Sequence, residues 1–428
     1  MLSVVGFSMM GIFLVLLMTK KMSPLAALII IPVVTAILAG FSDTLGVMML
    51  NGIKETGLTG IMIIFSIMFF SLMSDAGLFD PLVRLILEKV QNNPVKVTIG
   101  TAILSAVIAI DGESTSTYLI VVAALLPLYK KLKLNPLILI CIVTLTCGIM
   151  NMLPWSAPAA RVTSILKISS SSLFKPMLPV IFIGLVWVFF VAYYLGIKER
   201  NRLKKDLIVI KFSNDSIIGD KDETLQRPKL IWINFLLTIL LITLIALDIL
   251  PLLICFMLAF AVALVINYPD FKTQSKVIKR HSGNAVLVAS IIFAAGIFTG
   301  ILEGTGMIQA MGRDIVSIIP NNINSYLNEI FAFLSLPFTF LFSNDAYYFG
   351  VLPVLNDAAN QFNISSDSLG RASLLGQSTH LLSPLVPGAY LLASLVGVEY
   401  SDYLKFTFKW ALGLALVLLI ASIILGII

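Results

Sequence analysis

The sequence predicts an all-α, polytopic membrane protein made of two inverted repeats. Three observations carry this. Of 428 residues, 58% are hydrophobic and only 12% charged, against about 45–50% and about 25% in soluble domains. The chain therefore cannot cover itself with a water-facing surface. Apolar runs recur along its length, several of them reaching the roughly 20 residues that a membrane span needs. Most of the charge falls in the short loops between those runs, where it reports topology. Composition thus excludes a soluble enzyme, a nucleic-acid-binding module and a disordered chain. The net charge of +6 marks no nucleic-acid partner, and the expected surroundings are a lipid bilayer.

Candidate spans lie near 3–19, 24–40, 58–75, 136–166, 177–197, 229–247, 249–268, 285–303, 371–397 and 405–427. The first run has no basic stretch ahead of it and is followed by Lys20 and Lys21, so it reads as a retained helix rather than a signal peptide. Cys141, Cys147 and Cys255 sit in apolar runs without metal-ligand spacing and read as small buried hydrophobes. The only long polar stretch, 198–228, divides the chain into 197 residues before it and 200 after it. Near-equal halves suggest an internal repeat, as in many secondary transporters. Leu125-Leu126-Pro127 has a counterpart in Val351-Leu352-Pro353, and Asn151-Met152-Leu153-Pro154 in Leu381-Leu382-Ser383-Pro384.

Two segments do not read as simple spans. In 97–131 two apolar arms flank Asp111 to Thr117; in 325–361 two arms flank Ser343-Asn344-Asp345. The arms are short, and a polar turn would lie at membrane depth, where non-helical backbone survives only inside protein or beside a water-filled cavity. Both segments are expected to be re-entrant hairpins. With Lys20 and Lys21 in the cytoplasm, this path places 23 of the 29 Lys and Arg inside, leaving Lys54, Lys167, Lys175, Arg313 and Arg371 outside and Arg161 within the membrane. A hairpin that crossed instead would flip every later basic cluster. The halves then carry five spans and one hairpin each, start on opposite sides, and leave both termini outside with the linker cytoplasmic. The first repeat takes 1–197, with scaffold spans in 1–57, hairpin 97–131 and broken helix 136–166; the linker takes 198–228; the second takes 229–428, with hairpin 325–361 and broken helix 371–397.

Ionisable groups at membrane depth cost about 2.5–3.5 kcal/mol each on insertion scales, so Asp111, Glu113, Arg161 and Asp345 need a reason. A binding or coupling role is favoured over simple neutralisation of Asp111 by Arg161. At the first tip, Gly112 permits the turn, and Ser114, Thr115 and Thr117 offer hydroxyls that both donate and accept. The helix that follows presents free N–H groups to an anion. The second tip, Ser343, Asn344 and Asp345, repeats these ingredients. Two spans are interrupted by paired prolines, Pro154 with Pro158 after Asn151, and Pro384 with Pro387 after His380 and Ser383; such pairs break helices and free backbone groups for ligands. Arg161 is the candidate contact for a substrate carboxylate, since its guanidinium grips carboxylates in a fork. His380, a group that switches charge near neutral pH, joins Asp111, Glu113 and Asp345 as a candidate proton site. If a metal touches protein, Asp111, Glu113, Asn344 and Asp345 are its candidate ligands. His281, in a basic loop, is set aside. Asp75 to Asp80 and Glu303 to Gly306 read as equivalent helix ends, and the many Gly and Phe residues as helix packing.

At these motifs the chain resembles the citrate–metal complex:proton symporter family of the ion transporter superfamily. The resemblance runs along nearly the whole chain. It is sharpest at Leu72 to Pro81, Asp111-Gly112 with Thr117-Tyr118, Met150 to Trp155, Ser343 to Pro353 and His380 to Pro387. It implies a scaffold domain, a transport domain with two hairpins, and an elevator motion. It also implies uptake of citrate complexed to a divalent cation together with protons. The sequence departs from the family's glycine-rich tip and break at Glu113-Ser114 and Ser156-Ala157, and from its Gln-Pro at Gln377-Ser378. These departures suggest a tighter site and leave a smaller or metal-free carboxylate open.

The expected function is secondary active, proton-coupled symport of citrate with magnesium or calcium at the cell membrane, by a homodimer without a permanently bound cofactor. Oxygen-rich tips favour such hard cations. The alternative is a sodium- or proton-coupled carrier of free di- or tricarboxylates. A membrane-embedded enzyme would need an acidic metal motif at the membrane surface, and none is present.

Overall fold

The computed structural model describes residues 2–19, 21–90, 93–203, 223–247, 249–318, 326–383 and 386–428. Lys20, residues 204–222 of the linker and Pro384, all used in the sequence argument, lie outside the described residues. Among the described residues every regular element is helical.

In the first half, α1 (Leu2–Met18), α2 (Pro24–Leu38) and the long α3 (Leu45–Asp75) precede a short α4 (Asp80–Val90). Then come α5 (Pro94–Ile108) and α6 (Ser114–Lys131), α7 (Pro136–Met150) and α8 (Ala157–Leu166), and α9 (Ser170–Leu203). The second half follows the same order: α10 (Ile231–Ala246), α11 (Leu252–Asn267), the long α12 (Phe271–Gly304) and the short α13 (Met307–Ile318). After them come α14 (Leu327–Leu341), a π-helical stretch (Ala346–Val351) running into α15 (Leu352–Gln361), α16 (Ser366–Leu374), one-turn α17 (Gln377–His380), α18 (Pro387–Val396) and α19 (Tyr400–Ile424).

Local chemistry marks several starts. Ser23, Asn93 and Asn135 each cap the first turn of a helix with a side-chain oxygen, and each is followed by proline at the first helical position. The cap satisfies an orphan N–H, and proline has none to satisfy. Gly77 and Gly306, at φ 89° and 74°, turn the chain out of α3 into α4 and out of α12 into α13. Only glycine enters this left-handed region without strain, so the two similar helix ends in the sequence are two similar corners.

The helices α3 and α12 run antiparallel and approach so closely that their glycines touch. A Cβ on Gly52 would collide with the Gly296 carbonyl, and one on Gly300 with the Met48 carbonyl. Small residues let backbones meet in a bilayer, where burying apolar surface against lipid-like neighbours gives no net drive and packing must supply it.

Polar ends make several helices longer than their apolar runs. The span expected at 58–75 belongs to a helix from 45, that at 177–197 to one from 170 to 203, and that at 285–303 to one from 271. Hydropathy marks the apolar stretch of a helix, whereas the helix continues while its charged residues find partners. Lys167, in the turn between α8 and α9, lies 2.9 Å from Glu55 on α3 and 2.6 Å from Glu303 on α12. Partial burial pulls its ammonium down, but the hydrogen bonds to Glu303 and Glu55 outweigh this and hold it above the usual lysine range. His281 is not incidental: it lies on α12 and its Nε2 is 2.8 Å from Asp75 Oδ2.

The first hairpin has its arms side by side, with the Thr101 and Tyr129 hydroxyls 3.0 Å apart. Both arms of the second pack against α16. One sequence match does not survive: Pro127 lies near the end of α6, but Pro353 lies in the first turn of α15, so the two Leu-Pro pairs are not equivalent. The other match, as far as its described residues 151–154 and 381–383 go, falls at the interruption in each broken helix.

Gly296→Leu is expected to destabilise the fold by at least about 1–3 kcal/mol through overpacking, read as loss of monodisperse protein on gel filtration in detergent. Gly283→Ala, on the same helix with no atom within 4 Å of the added Cβ, should remain monodisperse.

Candidate functional site

Each hairpin tip lies against an interrupted helix. At the first tip Asp111 ends a short 3-10 turn, Gly112 takes φ 77°, and Glu113 precedes the first residue of α6, Ser114. Asp111 Oδ1 accepts from the Glu113 N–H at 2.8 Å, and its Oδ2 accepts from the Ser116 hydroxyl. Asp111 is therefore held within its own loop, and Arg161 is not its partner. The Thr117 hydroxyl is likewise local, donating to the Glu113 carbonyl at 3.2 Å.

This tip is fastened to the break between α7 and α8. Trp155 Nε1 donates to the Ile110 carbonyl at 2.7 Å, and a Cβ on Gly112 would sit 3.1 Å from Trp155 and 3.2 Å from Ser156 Cα. Ser156, where the sequence departs from a glycine pattern, is wholly buried and has two tasks. Its hydroxyl donates to the Asn151 carbonyl at 2.6 Å, across the break, and accepts from the Ala159 N–H at the start of α8. The extra side chain closes the break and caps the half-helix. On the far side, Trp155 packs against Phe70 of α3 and Phe256 of α11. Pro154 borders a cavity of about 550 Å³, lined mainly by apolar residues such as Leu58, Met62 and Phe174 together with Lys175. That cavity reaches the polar site only at Pro154.

At the second tip the Ser343 hydroxyl accepts from the Ala346 N–H at 3.1 Å. The π-helical stretch that follows ends at Val351, two residues before Pro353, which cannot donate a backbone bond; such wide turns are frequent at functional sites. Asp345 pairs with Arg161 of α8, whose Nη2 and Nε lie 2.7 and 2.8 Å from the same oxygen, Oδ1. Both side chains are close to 90% buried, and the guanidinium also lies 5.8 Å from the Phe349 ring centroid. The simple neutralisation weighed for Arg161 is thus real, with Asp345 in place of Asp111.

The second break is fixed through α14. Thr339 donates to the Gly376 carbonyl at 2.8 Å, and His380 Nδ1 lies 2.7 Å from the Thr339 carbonyl. A carbonyl only accepts, so Nδ1 carries the proton and Nε2 is left for other work. Ser383 is wholly buried at this break.

The two halves meet crosswise. Gly388 of α18 approaches Tyr118 of α6, and α8 meets the π-helical stretch through Arg161. Helix starts from hairpin and half-helix are thereby paired between halves, and four N-terminal ends gather in the middle of the fold. Such ends favour anions. A residue absent from the predicted site links these parts. Gln377, wholly buried, accepts from Asn151 Nδ2 at 3.2 Å and donates to Asn344 Oδ1 and to the Tyr348 hydroxyl, each at 2.8 Å. Its polarity inside an apolar span and its place in the Gln-Pro motif, which here reads Gln377-Ser378, were its only marks in the sequence. The structure does not gather Asp111, Glu113, Asn344 and Asp345 into one cluster. Among the described residues no three His, Cys, Asp or Glu side chains meet as a metal site.

The chain matches the citrate transporter family over residues 13–376. It is 48% identical to the citrate transporter of Bacillus subtilis over 428 residues, which is the whole of both chains. It is 43% identical to the Mg(2+)/citrate complex secondary transporter of the same organism over 430 residues, covering 100% of this chain and 99% of that one. Among solved structures it resembles the YdaH transporter of Alcanivorax borkumensis, with a TM-score of 0.61, 12% identity, and coverage of 91% of this chain and 88% of that one. For MtrF of Neisseria gonorrhoeae the figures are 0.58 and 13%, with coverage of 88% and 83%. At these identities the two structures speak to fold alone.

Asp345→Asn should leave the Arg161 charge buried without a counter-charge, at a cost of about 3–5 kcal/mol. The double variant Arg161→Met/Asp345→Asn should recover most of that stability. Unfolding curves in detergent check both effects.

Proposed function

The chain belongs to the citrate transporter family, and from that premise we propose that it is a secondary carrier taking up citrate complexed with a divalent cation, magnesium or calcium, together with protons. The observation that carries this reading is the charge of the central site. Asp345 is paired with Arg161, while Asp111 and Glu113 at the first tip add two acids, so the separated groups carry a formal balance of −2 with His380 neutral. Free citrate, a trianion, would meet net repulsion in a medium that screens charge poorly. A complex with a divalent cation carries only −1, and each proton taken up by an acid lowers the repulsion further. Proton and metal thus do the same electrostatic work.

The same reading assigns each residue a role. Asn151, Asn344, Arg161, the Ser114, Thr115 and Thr117 hydroxyls, Ser343 and Ser383 contact the substrate, with Gly112 and Pro154 shaping the backbone beside it. Asp111, Glu113, Asp345 and His380 exchange protons. The metal is held mainly by citrate's own oxygens, in keeping with a protein site that offers amides and separated acids. The name of the relative that carries a Mg(2+)/citrate complex supports the same substrate.

The motion is of elevator type. One body holds the hairpins and broken helices, α5 to α9 and α14 to α19; the other is the scaffold built around the α3–α12 crossing. The repeated element order supports inverted repeats. Contacts between loops support the charge-based topology. Arg202 donates to the Lys133 carbonyl, the Arg227 N–H to the Ala76 carbonyl, and Arg371 to the Ile427 and Ser172 carbonyls; each group is one that the trace puts on a single side, with both termini outside.

In proteoliposomes, citrate uptake should require a divalent cation, stop with a chelator, collapse with a protonophore and survive replacement of sodium by choline. Uptake that ignores metal, or that needs sodium, would overturn the reading in favour of a free-carboxylate carrier. Asp111→Asn, Glu113→Gln, Asp345→Asn and His380→Gln, taken singly, should each be compared for the pH dependence of uptake. An unchanged profile in all four would exclude these groups as the proton sites.

A further inference from the structure

An amide side chain has an accepting end and a donating end, and which end faces the ligand decides what it can hold. Asn151 and Asn344 each spend one end on Gln377. The orientation of Gln377 therefore sets the orientation of both.

That orientation is anchored by a group that cannot reverse. The Tyr348 hydroxyl lies 3.4 Å from the main-chain carbonyl of Ser373, and a carbonyl only accepts. The hydroxyl proton points there, so its lone pairs are left to accept from Gln377 Nε2 at 2.8 Å. With Nε2 on that side, it also donates to Asn344 Oδ1 at 2.8 Å, and Oε1 faces the other way to accept from Asn151 Nδ2 at 3.2 Å. Turning the relay over would oppose the Tyr348 hydroxyl and leave the Ser373 carbonyl without that donor. Gln377 is completely buried, so water offers no substitute partner.

The consequence is an asymmetric pair. Asn151 has its Nδ2 engaged and keeps Oδ1, an acceptor. Asn344 has its Oδ1 engaged and keeps Nδ2, a donor. Among the described residues no group donates to Asn151 Oδ1 and none accepts from Asn344 Nδ2. We propose that Gln377 is a positioning residue that makes the site polar along one direction, offering the Asn151 carbonyl to the metal end of the substrate and the Asn344 amino group to a carboxylate end. Two asparagines presented alike would suit a free carboxylate or a lone cation; presented oppositely, they suit an ion pair of defined orientation. This rests on the metal–citrate reading and specifies how the complex lies in the site.

Two substitutions separate the relay from general packing. Glutamate in Gln377→Glu can only accept, so Asn344 must turn its amino group inward and withdraw it from the ligand. Tyr348→Phe removes the hydroxyl that orients the relay and keeps the ring. In proteoliposomes, initial rates of citrate uptake at saturating magnesium should show KM for the complex raised about tenfold or more in Gln377→Glu, and several-fold in Tyr348→Phe. In Tyr348→Phe the maximal rate per folded transporter should stay within about twofold. The order of preference among magnesium, calcium and manganese should also narrow in Tyr348→Phe, since Asn151 is then free to present either end. A purely structural role would lower the amount of folded protein or the maximal rate and leave KM and metal order unmoved; that result would overturn the proposal. If Gln377→Glu yields no monodisperse protein, Tyr348→Phe decides alone. Wild-type protein that takes up no citrate–metal complex overturns both this inference and the function it rests on, whereas wild-type uptake with unshifted variants overturns this inference only.

Discussion

Polar groups inside a membrane must find their partners within the protein, and this fold is arranged around meeting that demand at two interrupted helices and two hairpin tips. Every break frees backbone groups that lipid cannot satisfy. Ser156 bridges one break, Thr339 fastens the helix that leads into the other, and Trp155 pins a tip to the first. Once those obligations are met locally, Arg161 and Asp345 are free to join the halves. The site is consequently a junction between the two halves of the chain, and neither half holds it alone.

A second demand concerns movement. In the elevator motion proposed above, a body that carries the site across the membrane slides along a partner that holds still. The α3–α12 crossing, with glycine against glycine, has the closeness expected of a rigid frame, while Trp155 meets α3 and α11 through aromatic faces. The Lys167 pair with Glu55 and Glu303 ties the turn after α8 to both long helices by exposed charge. Exposed ion pairs are worth at most about 1 kcal/mol, a tie weak enough to break under the proposed motion.

Much of this was legible in the sequence because membrane depth makes polarity conspicuous. Asp111, Asp345 and the paired prolines stood out against apolar surroundings, and the charge of the loops was the ground for reading 97–131 and 325–361 as hairpins. What escaped reading depended on partners far apart in the chain. Arg161 finds Asp345 184 residues away, and no local pattern distinguishes that acid from Asp111. Gln377 was noted in the sequence only for the residue that follows it; its importance lies in touching Asn151, 226 residues before it, and Asn344 and Tyr348 at the second tip. The short helices α4 and α13 escaped because a hydropathy reading finds spans and passes over amphipathic helices between them. The Leu-Pro resemblance between hairpin arms misled, since a proline near a helix end and one near a helix start read alike without the frame.

In the proposed function a metal–carboxylate complex sits where the tips and breaks of both halves converge, and a structure determined in the presence of magnesium and citrate would place it. Ligand density is expected between the first tip and the Asn151–Gln377–Asn344 relay, with a citrate carboxylate near the Asn344 amino group and the metal toward the Asn151 carbonyl. Density confined to the apolar cavity beside Pro154 and Lys175, with the relay untouched, would contradict it.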